Sequence, residues 1–118
     1  VTPFQEDTHF RVLRALQENP YITQRQLAVR LGVSLGVTNF VLRALLDKGA
    51  IKVRNFRGNS QKSSYAYLLT PHGLVAKAAL TARFLMRKRE EYEALKAEIE
   101  AVSQEFDQAV QMTSREAS

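Results

Sequence analysis

The sequence predicts a mainly α-helical fold with one small β-hairpin (α+β), ending in a single long helix. Three observations predict it. Apolar residues recur at helical spacing in three short segments before residue 49, and the period then shortens to about two between 51 and 69. After Pro71 a heptad pattern without further proline runs to about residue 111. At 118 residues the chain has room for one small domain with an appendage, not for a two-domain enzyme.

The first segment, from about Asp7 to Glu18, spaces Phe10, Leu13 and Leu16 in threes with Val12 beside them and stops before Asn19-Pro20. Thr23, followed three residues later by Gln26, is a capping box that opens a second, short helix with Leu27, Ala28 and Leu31 inward. Gly32 supplies the left-handed residue that ends it. Ser34 then caps a third helix running to about Lys48 and closed by Gly49. Two short helices joined through Leu31-Gly32-Val33-Ser34 predict a helix-turn-helix. Ile51 and Val53 alternate with Lys52 and Arg54, Tyr65 to Leu69 form a second strand, and polar residues 55–64 lie between them. Helices followed by such a hairpin make a winged helix. We therefore expect a winged helix-turn-helix over residues 1–70, a dimerisation helix over 71–112 and a polar tail over 113–118 that frays.

Composition excludes several functions. Without cysteine there is no disulfide, thiolate zinc site or cysteine nucleophile, and only His9 and His72 remain as imidazole ligands. Metal and cofactor roles are accordingly not expected. No run approaches the ~20 apolar residues that span a bilayer, and no signal-peptide pattern occurs, so we expect a cytoplasmic protein. Charge is uneven: residues 1–70 carry ten Lys or Arg against four acids, a net +6, whereas residues 71–118 carry seven against eight, a net −1. A basic domain before a balanced helix points to a polyanion at one end and a protein at the other, the alternative being a solvated basic surface with no partner.

On a helical wheel of residues 34–48, Thr38, Val41, Leu42 and Leu45 face inward with Leu35 and Leu46 at the edge. The opposite arc holds Gly36, Val37, Phe40, Arg43 and Ala44, with Asn39 at its margin. In a helix-turn-helix that arc lies in the major groove, where Arg43 can fork onto guanine, Asn39 onto adenine, and Val37 and Phe40 can touch a thymine methyl. Gly36 permits close approach to a phosphate, Ser34 can donate to one, and Thr23, Gln24 and Arg25 can offer backbone N–H groups at a helix start. Arg54, Arg57, Asn59 and Lys62 supply strand and wing contacts to phosphate or the minor groove. Each has a plainer reading: Asn39 as a solvated helix residue, Phe40 tucked against a neighbour, the wing as a basic loop.

Steps of four and three pick out Leu74, Ala78, Thr81, Leu85, Lys88, Tyr92, Leu95, Ile99, Val102, Phe106 and Ala109, a coiled-coil seam interrupted at Thr81 and Lys88. With Tyr92, Ile99 and Phe106 at a, and Leu95 and Val102 at d, a parallel pair sets Glu91 opposite the partner's Lys96, whereas an antiparallel pair brings acidic rows together. We expect a parallel homodimer through Leu74, Ala78, Leu85, Tyr92, Leu95, Ile99, Val102 and Phe106. The alternative is a helix that folds back on its own domain.

The stretch from Thr23 to Ile51, the wing opening KVRNF, and YAYLLTPHGLVAKAALTARFLMRKREEYEALKAEIE together resemble the MarR-like regulators associated with bacterial exopolysaccharide loci. The resemblance implies a homodimeric winged-helix transcriptional regulator acting on double-stranded DNA near genes for extracellular polysaccharide. Typical MarR proteins are longer and dimerise through helices at both ends that frame an effector pocket. This chain has one long C-terminal helix, and a small-molecule effector is left open.

Two further classes compete. A winged helix can serve as a protein-interaction adaptor without sequence-specific DNA binding, and exposed Val37 and Phe40 suit that role. An enzyme is not expected: Glu6-Asp7 suits a helix start, and no phosphate-cradling glycine loop or nucleophile with a base is visible. RNA is a weaker partner than DNA because a helix does not enter the narrow A-form major groove.

Overall fold

The computed structural model describes residues 2–56 and 64–117. Element order is α1 (Pro3–Glu18), α2 (Gln24–Leu31), α3 (Leu35–Asp47), β1 (Ile51–Phe56), β2 (Ser64–Leu69) and α4 (Pro71–Ala117). It is the winged helix followed by a long helix that the sequence predicts. The chain divides into two units, Val1–Phe84 and Leu85–Ser118.

In the first unit, Val12, Leu13 and Leu16 of α1 meet Leu27 of α2, Val41, Leu42 and Leu45 of α3, and Ile51 of β1 in one core. Leu80 of α4 packs against its edge. Helix α1 starts earlier than the apolar period suggests. Thr2 accepts from the Gln5 N–H while its own N–H donates to Gln5 Oε1, and Pro3 fills the first position without a wasted donor. The Thr-x-x-Gln signal at residues 2–5 is the one used at Thr23–Gln26, but it lies ahead of the first apolar repeat.

The turn residues behave as their chemistry requires. Thr23 and Ser34 cap α2 and α3, and Gly32 (φ 69°) and Gly49 (φ 72°) take the left-handed conformation that a β-carbon disfavours. Strands β1 and β2 pair antiparallel, with Val53 opposite Tyr67 and Arg54 opposite Ala66. The Tyr67 N–H donates to the Pro20 carbonyl at 3.0 Å, tying the hairpin to the loop between α1 and α2.

Around the domain, Arg14 and Arg30 both pair with Glu18, and the Arg30 hydrogen bond foremost holds that carboxyl below its usual range. Burial, then the charge of Lys48, holds His9 below the ordinary imidazole range. The Phe10 and Phe84 rings stack with centroids 4.6 Å apart, and Arg83 pairs with Glu6 at 2.8 Å. Arg11, Arg14, Arg30 and Leu31 line, with the two rings, a cavity of about 310 Å³.

Helix α4 continues through residues 113–117, which the polar composition predicts to fray. No glycine or proline interrupts it there, and the Thr113 hydroxyl folds back onto the Ala109 carbonyl at 2.9 Å. In the second unit every described residue from 89 onward is exposed. Among the described residues no single helix is long and apolar enough to cross a membrane.

Candidate nucleic-acid interface

Helix α3 has two faces of opposite character. Thr38, Val41, Leu42 and Leu45 are buried, as the wheel predicts, and the Thr38 hydroxyl satisfies itself on the Ser34 carbonyl at 3.0 Å. Gly36, Val37, Asn39, Phe40 and Arg43 are exposed, and Ala44 is half-buried. Phe40 does not tuck against a neighbour: it is 70% exposed. An aromatic ring left in water this way carries unfavourable hydration that a partner surface would relieve.

Of the donors at the starts of α2 and α3, one is already in use. The Thr23 N–H is already donated to Gln26 Oε1 at 3.0 Å, so it is not available to a phosphate. Gln24 and Arg25, at the first two positions of α2, lie where a helix makes no internal use of its N–H groups. Ser34 Oγ accepts from the Val37 N–H at 3.1 Å, which leaves its hydroxyl proton to donate outward.

Gly36 is not demanded by the fold. A β-carbon there would meet nothing nearer than Ser34 Oγ at 3.9 Å, and a helical glycine costs about 1 kcal/mol relative to alanine. If its role is to let a backbone come close, Gly36→Ala is expected to stabilise the domain by about 0.5–1 kcal/mol while weakening duplex binding. Urea unfolding and a binding titration on the same variant test this together, and unchanged binding would remove Gly36 from the interface.

Asn39 is exposed, but it has a partner on another helix. Its Nδ2 donates to Gln24 Oε1 at 3.2 Å, and Gln24 Nε2 donates in turn to the Tyr67 hydroxyl at 3.3 Å. One polar chain thus links α3, the start of α2 and β2. Sequence reasoning named Asn39 and Gln24 separately but missed Tyr67, which lies 43 residues from Gln24. Arg54 is exposed on β1. Arg57, Asn59 and Lys62 lie outside the described residues. The seam residues Leu74, Ala78, Leu85, Tyr92, Leu95, Ile99, Val102 and Phe106 are all exposed in the single chain. Among the described residues no group of His, Asp and Glu is placed to hold a metal ion.

With this geometry in place, the chain can be set beside known proteins. Residues 5–52 match the family of winged helix-turn-helix DNA-binding domains. The chain superimposes on the PcaV transcriptional regulator of Streptomyces coelicolor, determined with its natural ligand, with a TM-score of 0.62. That match covers 86% of this chain and 71% of PcaV at 23% identity. It also superimposes on MepR of Staphylococcus aureus in a DNA complex, with a TM-score of 0.58, over 84% of this chain and 73% of MepR at 25% identity. The chain spans little more than half of other regulators it resembles: 56% of one MarR family transcription regulator and 53% of Staphylococcus aureus MarR. No curated protein matches it by sequence. The fold is the winged helix with a long following helix that MarR regulators share.

Proposed function

We propose that this protein is a sequence-specific, double-stranded-DNA-binding transcriptional regulator, a homodimer that reads an inverted repeat through α3 and the wing at residues 55–64. The observation that carries the reading is the exposed arc of α3. Val37, Asn39, Phe40 and Arg43 stand in solvent on a helix whose other face is locked into the core. A second helix-turn-helix element, α2, brings Gln24 to the same side through the Gln24–Asn39 hydrogen bond. MepR, whose fold this chain resembles, is seen in complex with DNA, which supports the choice of partner.

Self-association follows from the exposed seam of α4. The part of α4 from residue 89 onward, exposed throughout, gains no tertiary stabilisation within one chain, and the apolar row from Tyr92 to Phe106 gains it by pairing with a second copy. A two-fold pair presents two recognition helices, and hence an inverted repeat with half-sites about one helical turn or a small multiple apart. We assign it to the cytoplasm, on the bacterial nucleoid. The finer link, to exopolysaccharide loci, rests on the sequence stretches that carry that resemblance.

The test is selection of binders from a pool of random duplexes. The expected result is an enriched inverted repeat, with log affinity falling against log salt at a slope near −7 if the dimer engages about eight phosphates. Arg43→Ala is expected to weaken specific binding by about 1–3 kcal/mol and to relax selectivity at one base pair in each half-site. Wild-type selectivity in that variant would remove Arg43 from the base-reading set. One observation favours a second reading, a protein-interaction adaptor: the 70% exposure of Phe40 suits an apolar partner equally well. An adaptor would enrich no motif and show no steep salt dependence.

A further inference from the structure

We infer that Phe40 makes this protein a reader of the pyrimidine C5-methyl group itself, so that a duplex carrying 5-methylcytosine is a ligand distinct from its unmethylated form. The inference rests on the DNA-binding reading above and adds to it a sensitivity to the chemical state of the target.

Thr38, Val41, Leu42 and Leu45 are buried and fix the inward direction of α3. At about 100° per residue, Phe40 and Arg43 then lie about 30° to either side of the outward pole. That pole is what a helix in the major groove turns toward the base edges. Residue 40 also falls within the stretch 5–52 that matches winged helix-turn-helix DNA-binding domains. The ring is 70% exposed, so the core of the domain makes little use of it. A helical side chain leans back over the turn before it, which for Phe40 is Gly36 and Val37. Val37 is apolar and 39% exposed, and a β-carbon at Gly36 would meet nothing nearer than Ser34 Oγ at 3.9 Å. Phe40, Val37 and Gly36 thus make one apolar stretch on the outward face, with room at Gly36 for a group to enter.

The base edges in the major groove are donors and acceptors, and the only alkyl group among them is the C5-methyl of thymine. An aromatic ring gains from that methyl by removing apolar surface from water. It has no donor or acceptor with which to tell the O4 of thymine from the N4 amine of cytosine, and neither have the side chains of Gly36 and Val37. Methylation of cytosine at C5 sets the same alkyl group at the same ring position, in the same groove. What Phe40 detects is therefore the methyl, whichever pyrimidine bears it. Occupancy of a target with cytosine at that position then follows its methylation.

The experiment measures affinity for the duplex that selection enriches, using the wild type, Phe40→Ala and Phe40→Leu, each shown to be folded by circular dichroism. Every thymine of the motif is replaced in turn by uracil, which removes the methyl and leaves the hydrogen-bonding groups in place. In the wild type, one thymine in each half-site is expected to lose about fourfold on replacement, and about fifteenfold when both half-sites are changed. With cytosine paired to guanine at that position, C5 methylation is expected to raise affinity by an equal factor. Phe40→Ala is expected to bind the methylated and unmethylated forms alike, whereas Phe40→Leu, still apolar, keeps most of the difference. A motif with no uracil-sensitive thymine overturns the proposal, as does a methyl preference that persists in Phe40→Ala. So does a sensitive position at which cytosine methylation changes nothing. A wild type that enriches no motif at all, the result an adaptor would give, sinks the DNA-binding reading itself and this inference with it.

Discussion

Gly73→Ala is expected to destabilise the first unit by about 3 kcal/mol, near the upper end of what overpacking a tight contact costs. The cause is backbone against backbone. A β-carbon at residue 73 would lie 1.9 Å from the Ala50 carbonyl oxygen and 2.9 Å from the carbonyl carbon, and neither can swing aside as a side-chain end can. The same carbonyl accepts from the Thr70 N–H at 3.0 Å, and the Thr70 hydroxyl accepts from the Gly73 N–H at 3.0 Å. The first turn of α4 is thus laid directly on the turn between α3 and β1. Any retreat breaks the hydrogen bonds that hold the helix start. For a unit of this size the melting midpoint should fall by about 12–24 °C. Gly49→Ala is a useful comparison. Nothing lies within 4 Å of a β-carbon at Gly49, so only its positive φ opposes the change, at about 1–2 kcal/mol. If Gly73→Ala melts within a few degrees of the wild type, the close approach of the two backbones is wrong.

Ile99→Asp is expected to convert the protein to a single-chain species at micromolar concentration and to lower operator affinity about 100-fold or more. Ile99 occupies the centre of the row Tyr92, Leu95, Ile99, Val102 and Phe106, and all five side chains are more than half exposed in one chain. In a two-fold pair Ile99 meets its own copy, so the substitution removes two buried side chains at about 1.5–3 kcal/mol each. It also sets two carboxylates in an apolar seam, where their desolvation and mutual repulsion oppose association further. Once the chains part, the two half-sites bind independently and the gain from linkage, about 10²–10⁴, is lost. Sedimentation equilibrium gives the mass, and circular dichroism should show lost helix as well, because an unpaired α4 end keeps no tertiary support. An Ile99→Asp protein that retained a two-chain mass would falsify the seam as the dimer interface. A change confined to DNA affinity, with mass unaltered, would place Ile99 outside self-association altogether.

Much of the winged domain was legible because its punctuation is local. Thr23, Gly32, Ser34 and Gly49 each act within a few residues of their own position, through a cap or a left-handed φ, and the structure has each in that role. The inward face of α3 was legible for a related reason. Burial of Thr38, Val41, Leu42 and Leu45 follows from helical periodicity alone once the helix ends are known. The start of α1 was readable in principle from Thr2, Pro3 and Gln5, but a reading keyed to apolar spacing begins at the first apolar repeat and passes over it.

By itself the sequence determined the order and kind of the elements, the face α3 turns inward, the concentration of positive charge in the first 70 residues and the apolar row of α4. These depend on spacing along the chain. Only the tertiary structure decided three others: that Phe40 stands free, that Gly73 lies against Ala50, and that Asn39 is held through Gln24 to Tyr67. Each joins or separates groups far apart in sequence, and no periodicity encodes such a meeting. A glycine at residue 73 reads as a weak point in a helix until the carbonyl beneath it is seen, and an asparagine at residue 39 reads as unpartnered until its partner on another helix is placed.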